Sequence, residues 1–207
     1  MLAILLMLAD APQTNVVDAE RAFAADAQKD GQWTAFRRWA AADATMFVPQ
    51  PVKTQAFLKD RRDPPKAIDW WPTAAWLSCD GTLAVDTGGW KRADGSVGYF
   101  STVWQRQPDG GWKWIVDGGD ALSVARPQPG VVKVVRASCY GKGELDMGGN
   151  VISGTGNDDF DTAKDRTLNT GWKVEGDGSR SFFASIWTGH GWRQVIDDNI
   201  AAPPPNR

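Results

Sequence analysis

The chain has 207 residues with 23 basic and 25 acidic side chains, a formal net charge of −2. This near-balance offers no basic patch for nucleic acid and argues against a nucleic-acid partner. The length suffices for one large domain or two small ones with a substantial core. Twelve tryptophans are the compositional anomaly, and we expect most of them to pack in the core and a minority to line a ligand site.

The first residues resemble a short secretory leader over 1–11. A run of roughly eight apolar residues precedes small residues at Ala9 and Ala11, although no Lys or Arg comes before it and Pro12 would follow the cut. The run is too short to span a bilayer, and no other stretch could cross one. The pattern predicts a periplasmic or secreted protein. The alternative is a cytoplasmic one with a packed amphipathic N-terminal segment.

The oxidation state of the two cysteines, Cys79 and Cys139, depends on the same choice of compartment. An exported protein could pair them in a disulfide, whereas a cytosolic one would keep them as buried thiols. A single His and the lack of a Cys-x-x-Cys motif leave too few ligands for a zinc site. The acidic stretch 157–161 lacks the glycine and the terminal Glu of a calcium loop. We therefore expect no metal and no cofactor.

Helical spacing and capping residues predict helices early in the chain. Apolar residues from Val16 to Ala27 recur on one helical face. Asn15 can cap this helix, and Gly31 suits its C-terminal end. The segment Pro49-Gln50-Pro51 stops any regular element. The predicted helices run over 15–31, 33–40 and 53–61.

Strands are predicted from residue 68 onwards. The turns Asp94-Gly95 and Asp109-Gly110 separate runs of aromatic and β-branched residues, which is the pattern of β-hairpins. Residues 141–165 are predicted as long loops that admit one irregular strand at 150–153. Helices followed by such strands indicate an α+β fold. The predicted strands cover 68–78, 83–92, 97–107, 112–118, 131–137, 167–174, 180–187 and 192–197.

The later strands repeat the pattern of the earlier ones. Gly89-Trp90-Lys91 and Gly111-Trp112-Lys113 recur as Gly171-Trp172-Lys173 and Gly191-Trp192-Arg193. Self-similarity of this kind indicates one supersecondary unit, a three-strand meander, built twice. A lone meander buries one face poorly, so the second copy should pack on, or extend, the first sheet. We predict a main domain over 12–125, a C-terminal β extension over 126–200 and a disordered tail over 201–207.

A family resemblance rests on several short pieces of the first part of the chain. They include Glu20-Arg21-Ala22-Phe23, the segment 42–49, Gly81-Thr82-Leu83-Ala84 and Asp109-Gly110-Gly111-Trp112-Lys113. Through them, residues 15–120 resemble the nuclear transport factor 2-like superfamily, in its polyketide-cyclase and ketosteroid-isomerase branch. The resemblance implies a cone-shaped, cystatin-like fold, in which a curved antiparallel sheet wraps N-terminal helices around one pocket. It also implies that a homodimer could form through the outer sheet face.

The same resemblance supplies a test of chemistry. Ketosteroid isomerases move a proton with a Tyr, an Asp base and a protonated Asp. Their motif positions correspond here to Phe23, Val48 and roughly Thr102. An apolar Val cannot accept a proton. The sequence therefore assigns no catalytic residue, and proton transfer by that mechanism is not expected.

Candidate ligand-binding residues lie along the first meander and the strand before it. The tryptophans could form an aromatic wall for a flat or sugar-like ligand, although packing inside the core is the alternative. Asp86 lies on one strand face with Ala84 and Gly88. On the concave face it would be a ligand contact or a base with a raised pKa, whereas on the outer face it would pair with Lys or Arg. The candidates are Trp70, Trp71, Asp86, Trp90, Thr102 and Trp104.

Three functions from different classes remain open on this basis. The first is a cone-fold protein without isomerase-type catalytic residues that binds a small hydrophobic or aromatic molecule. The second is an isomerase, cyclase or hydratase that uses Asp86 as its base. The third is a homodimeric or partner-binding module, which a contiguous apolar patch on the outer face of 167–197 would favour.

Overall fold

The computed structural model describes residues 15–141 and 158–202. The predicted leader, the strand at 150–153 and the tail beyond residue 202 lie outside these ranges. The helices are α1 (Val16–Asp30), α2 (Gln32–Trp39) and α3 (Thr54–Leu58). The strands are β1 (Ala40–Phe47), β2 (Pro51–Lys53), β3 (Asp69–Leu77), β4 (Leu83–Lys91), β5 (Val97–Arg106), β6 (Trp112–Leu122), β7 (Lys133–Arg136), β8 (Asp158–Thr162), β9 (Leu168–Val174), β10 (Arg180–Trp187) and β11 (Trp192–Ile200).

Helix α1 begins and ends where its capping residues predict. The Asn15 side chain accepts a hydrogen bond from the Asp18 backbone N–H at 2.9 Å, as an N-cap does. Gly31 has φ 107° and donates its N–H to the Ala27 carbonyl oxygen at 3.2 Å. Among the described residues, no helix combines the length and the apolar character needed to cross a bilayer.

The first sheet curls around the helices. Its strand order is β2-β1-β6-β5-β4-β3-β7, and neighbours are antiparallel except for the parallel pairs β1–β6 and β3–β7. Phe23 of α1 packs against Trp104 and Trp114 of the sheet, and each of these three side chains is at most 1% exposed. This arrangement confirms the predicted α+β cone.

Two details of the first sheet differ from the sequence prediction. Helix α2 ends at Trp39, and residues 40–47 form strand β1. The sequence predicts no strand here, because Ala and Asp are depleted in strands; pairing with β6 overrides their weak preference. Strand β7 returns to the edge of β3 as a parallel partner, so the sheet is mixed.

The second sheet packs on the convex face of the first rather than extending it. Its order is β11-β10-β9-β8, and all of its neighbours are antiparallel. Val85 and Val103 from the first sheet share one core with Leu168, Phe182 and Ile186 from the second.

Strand β8 corrects the prediction of a long loop over 141–165. Residues 158–162 pair with β9 along the edge of the second sheet. Their sequence, Asp158-Asp159-Phe160-Asp161-Thr162, carries three carboxylates, and Asp is depleted in strands. The neighbouring strand therefore determines this segment's conformation more than its own composition does.

Polar links also join the two sheets, next to a disulfide that lies within the first. Cys79, after β3, and Cys139, after β7, form this disulfide, and both strands belong to the first sheet. The Cys79 N–H donates to Oγ1 of Thr167 at 2.7 Å. The Ser101 hydroxyl donates to a carboxylate oxygen of Asp198 at 2.7 Å. These links hold the second sheet in one position on the first.

The outer surfaces bear on the interaction hypothesis. The convex face, through which the resemblance implies dimerisation, is covered by the second sheet. The exposed large apolar side chains of the described residues all lie outside 167–197. The outer face of the second sheet carries two half-buried ring pairs, Phe160–Phe183 and Trp187–Trp192, so the interaction module stays a prediction.

Because the two sheets share a core, we predict that they unfold together. Leu168→Ala, at a position that is 0% exposed, should lower the free energy of unfolding by about 2 to 5 kcal/mol. Val134→Ala, at a side chain that is 53% exposed, is the control and should change it by less than about 0.5 kcal/mol. Urea unfolding followed by fluorescence and circular dichroism should give coincident transitions. An earlier, separate transition of the second sheet would contradict the shared core.

Candidate functional site

A cavity of about 480 Å³ opens between the N-terminal helices, one end of the first sheet and the start of β10. Most of its wall is apolar. The volume lies in the range of small-molecule sites. The aromatic part of the wall comprises Phe23, Trp33, Phe36, Phe47, Trp70, Trp90, Tyr99 and Phe100.

The aromatic wall is packed ring against ring. Phe23 meets Phe36 and Trp70 edge-to-face, with ring centroids 4.8 Å and 4.9 Å apart. Trp33 meets Phe36 in the same way at 5.4 Å. Edge-to-face pairs place the positive edge of one ring against the negative face of another. The wall is therefore stabilised without help from a ligand.

A glycine lets Trp90 lie across the neighbouring strand. Gly98 is the β5 partner of Trp90 in the ladder. A Cβ atom at Gly98 would lie 2.1 Å from Cζ2 of the Trp90 indole. The indole Nε1 donates to the Tyr99 carbonyl oxygen at 2.9 Å. Both contacts fix the ring as one side of the cavity.

Glu20 brings a carboxyl group from the middle of α1 to the cavity. The side chain is 1% exposed. Nε1 of Trp70 donates to its Oε1 at 2.6 Å, and Nε1 of Trp104 donates to its Oε2 at 3.2 Å. Burial raises the pKa of Glu20 to about 7, while the Trp70 hydrogen bond opposes this rise. Glu20 is thus fixed in place by the two indoles and titrates near neutral pH.

Asp86 lies directly behind Glu20 and is not part of the cavity wall. It is 0% exposed, so the outward orientation that the sequence left open is wrong. Its Oδ1 accepts from Nε1 of Trp104 at 3.3 Å, and its Oδ2 is buried without a donor among the described residues. Burial, and next the charge of Glu20, raise the pKa of Asp86 well above its ordinary value. The proton therefore stays on Asp86, which can donate it in a hydrogen bond to Glu20.

Asp117 supplies the second carboxyl group that faces the cavity. It lies on β6 opposite Thr102 of β5, and the Thr102 hydroxyl donates to its Oδ1 at 2.8 Å. Burial raises the pKa of Asp117 to about 7, and the bond from Thr102 opposes this. One oxygen is thereby oriented, and the group can either accept or donate a proton near neutral pH.

The structure separates the six candidate residues into three positions. Trp70 and Trp90 line the cavity. Trp104, Asp86 and Thr102 lie one layer behind it, in contact with the carboxyl groups of Glu20 or Asp117, which do line it. Trp71 follows Trp70 in the strand and so points to the convex face, where its ring lies against Gly89.

Sequence reasoning missed Glu20 and Asp117. Glu20 follows Val16 by four residues and precedes Phe23 by three, so it lies on the buried face of α1, and this spacing was available in the sequence. Asp117 could not be placed in this way. A register shift between Trp104 and Val103 inserts an extra residue in β6, which turns Asp117 to the concave face.

The positions that correspond to the isomerase residues also lie at the cavity. Phe23 and Val48 line it, and neither carries a protic group. Thr102 donates to Asp117, so the neighbouring strand places a carboxyl group in this region. Among the described residues, no group of three or more His, Cys, Asp or Glu could hold a metal ion.

No protein-family model and no curated protein matches the sequence. Part of the chain is similar to a protein from Parabacteroides distasonis assigned as a ketosteroid isomerase, at 16% identity and a TM-score of 0.45, over 56% of this chain and 94% of that one. A protein from Novosphingobium aromaticivorans assigned as an aromatic ring hydroxylase gives 16% identity and 0.38, over 54% and 89%. The CaMKII hub from S. rosetta gives 18% identity and 0.40, over 55% and 100%. At these identities the similarity concerns the fold alone.

The raised pKa values predict how stability depends on pH. Glu20 and Asp117 have pKa values of about 7, and the unfolded chain releases these protons near pH 4. The native state therefore binds more protons between about pH 4 and about pH 7, so the stability present at low pH is lost as the pH rises through about 7. Thermal unfolding should give a falling midpoint from about pH 5 to about pH 8.

Asp117→Asn removes one of these titrations, so the fall should become shallower. Asp60→Asn, at an exposed position after α3, is the matched control and should keep the wild-type slope. Equal slopes in both variants would show that Asp117 titrates as an ordinary, solvated acid.

Proposed function

We propose that this cone-fold chain binds a small, flat and mainly apolar molecule that carries at least one polar atom. The observation that carries the proposal is an open cavity with aromatic walls, which the carboxyl groups of Glu20 and Asp117 face from within and the solvent-exposed Asp120 from its rim. Burying a carboxyl group is costly unless it is hydrogen-bonded. Glu20 and Asp117 have protein partners, yet both also face the empty space.

The two kinds of wall would recognise different parts of such a ligand. The aromatic rings offer contact area to a flat apolar body. When protonated, Asp117 can donate to a carbonyl oxygen, and when ionised it can accept from a hydroxyl group. The pKa of about 7 makes both states accessible near neutral pH. A phenol or a cyclic ketone fits this combination.

An oxidising compartment is part of the proposal. The disulfide between Cys79 and Cys139 joins the end of β3 to the segment after β7. Disulfides persist in the periplasm and outside the cell, and they are rare in the cytosol. The disulfide supports the proposal that the protein is periplasmic or secreted. Cell fractionation that finds it in the cytosol would contradict this placement.

A second candidate function is acid–base catalysis at the same cavity. It is favoured by the position of Asp117, which faces the cavity with one oxygen held by the Thr102 hydroxyl. The pKa of Asp117, raised to about 7, suits a general base that works near neutral pH. Asp86, the base expected from the sequence, lies behind Glu20 and outside the wall. An enzyme on this chain would use Asp117 as the base and would act on a proton next to a carbonyl group.

The binding proposal predicts that a bulky side chain at the mouth blocks the site. 2-Naphthol should quench the tryptophan fluorescence of the wild type in a saturable manner. Ala121→Trp, at an exposed cavity residue, should weaken its binding by about tenfold or more, since the indole fills the entrance. Ala56→Trp, at an exposed position on α3, adds the same group elsewhere and should bind as the wild type does. Non-saturable quenching in all three proteins would refute the binding function.

The catalytic candidate predicts proton exchange at a ketone. With 2-tetralone in heavy water, nuclear magnetic resonance should show that the protein accelerates exchange at C1. The rate should rise as the pH passes about 7, because the ionised form of Asp117 is the base. Asp117→Asn should lower the rate by about 100-fold, whereas Asp60→Asn should not change it. Acceleration that survives Asp117→Asn would assign the base to another group.

A further inference from the structure

A cation from the second sheet reaches the cavity of the first. Arg180 is the first residue of β10, and its side chain points to the same face as Phe182 and Ala184, towards the first sheet. It is only 7% exposed, and it belongs to the cavity wall. The cavity is therefore built from both sheets.

The guanidinium of Arg180 has no hydrogen-bond partner in the described part of the chain. Its Nε is buried and unpaired. The aromatic ring of Phe47 lies 6.0 Å from its Cζ atom, which is the outer limit of a cation–π contact. Asp120 acts on Arg180 through its charge but forms no ion pair with it, and one Asp120 oxygen accepts the Ala121 N–H at 2.8 Å. A buried, unpaired cation of this kind is costly to a folded protein.

None of the other charged groups of the cavity wall forms an ion pair with Arg180 among the described residues. Burial favours the neutral forms of Glu20 and Asp117 by raising the pKa of each. Arg92 adds a second guanidinium to the wall, stacked over the Trp90 ring at 4.4 Å. The carboxylate of Asp120 is exposed to solvent. An anion that entered the cavity would therefore find in Arg180 a buried donor whose Nε has no hydrogen-bond partner.

We propose that Arg180 is the anion-binding residue of this cavity and that the ligand carries a carboxylate on its flat apolar body. The planar guanidinium offers two parallel N–H groups, which match the two oxygens of a carboxylate. The aromatic walls hold the apolar body, and the carboxylate turns towards β10. The inference rests on the proposed binding function and narrows it to organic acids.

The proposal gives the second sheet a role in recognition. The first sheet and its helices supply the aromatic walls and the carboxyl groups, and β10 supplies the charge that selects the ligand. If Arg180 only stabilises the packing of the two sheets, a charged and a neutral ligand of the same shape would bind equally well. The difference between two such ligands therefore tests the residue directly.

The test compares 2-naphthoate with 2-naphthamide, which differ in charge and hardly in shape. Their affinities for the full chain are measured by tryptophan quenching and by calorimetry. The wild type should bind the acid about tenfold more tightly than the amide, because a charge-assisted pair contributes roughly this factor. Arg180→Gln should remove this preference and leave the amide's affinity unchanged. Arg180→Lys keeps the charge without the planar fork and should retain part of the preference.

The control variant is Arg193→Gln, at an exposed position of β11, which removes the same charge from the same sheet. It should bind both compounds as the wild type does. If the amide binds and the acid is not preferred, or if Arg180→Gln keeps the preference, the role of Arg180 is refuted while the binding function stands. If neither compound binds, both proposals fail. Far-ultraviolet circular dichroism of each variant ensures that a loss of binding is not a loss of folding.

Discussion

The rest of this structure depends on the two hydrogen bonds that the buried Glu20 carboxyl group accepts. It comes from the centre of α1, and its two oxygens accept the indole N–H groups of Trp70 and Trp104, which belong to β3 and β5. Without an acceptor at this position, both buried indoles would lose a partner. One side chain therefore fixes the helix within the curl of the sheet and places an acid beside an open cavity. Asp86, which lies behind Glu20, keeps its proton, so Glu20 and Asp86 together carry one negative charge at most.

The duplicated meander explains how the second half of the chain relates to this site. The first copy is apolar on both faces, so its concave face packs on the helices and its convex face shares a core with one face of the second copy. The second sheet takes up the convex face of the first, and the first residue of β10 still reaches the cavity. The second copy of the meander thus buries the convex face of the first sheet and also brings the Arg180 cation to a cavity whose acids and aromatic rings come from the first part of the chain. The same packing of the two sheets accounts for both effects.

The sequence predicts the fold better than the site. Turns at Asp94-Gly95 and Asp109-Gly110 and the repeated Gly-Trp-Lys pattern locate the strands, because such local rules operate within a few residues. The sequence does not predict that Asp117 faces the cavity, because a single extra residue in β6 reverses the sheet face that Asp117 occupies. The sequence does not predict that Arg180 reaches the cavity either, because its position depends on how the two sheets pack, which local patterns do not encode. Glu20 was within reach of sequence reasoning, since it interrupts the apolar face of α1.

The most direct test of this account is a titration of the individual carboxyl groups by carbon-13 nuclear magnetic resonance. The central claim is that an acid facing the cavity holds its proton close to neutral pH and can meet a ligand. The account predicts a pKa of about 7 for Asp117, together with a change in its carboxyl resonance when 2-naphthol is added. A pKa near the ordinary value of about 4, with a resonance that does not respond to the ligand, would contradict it.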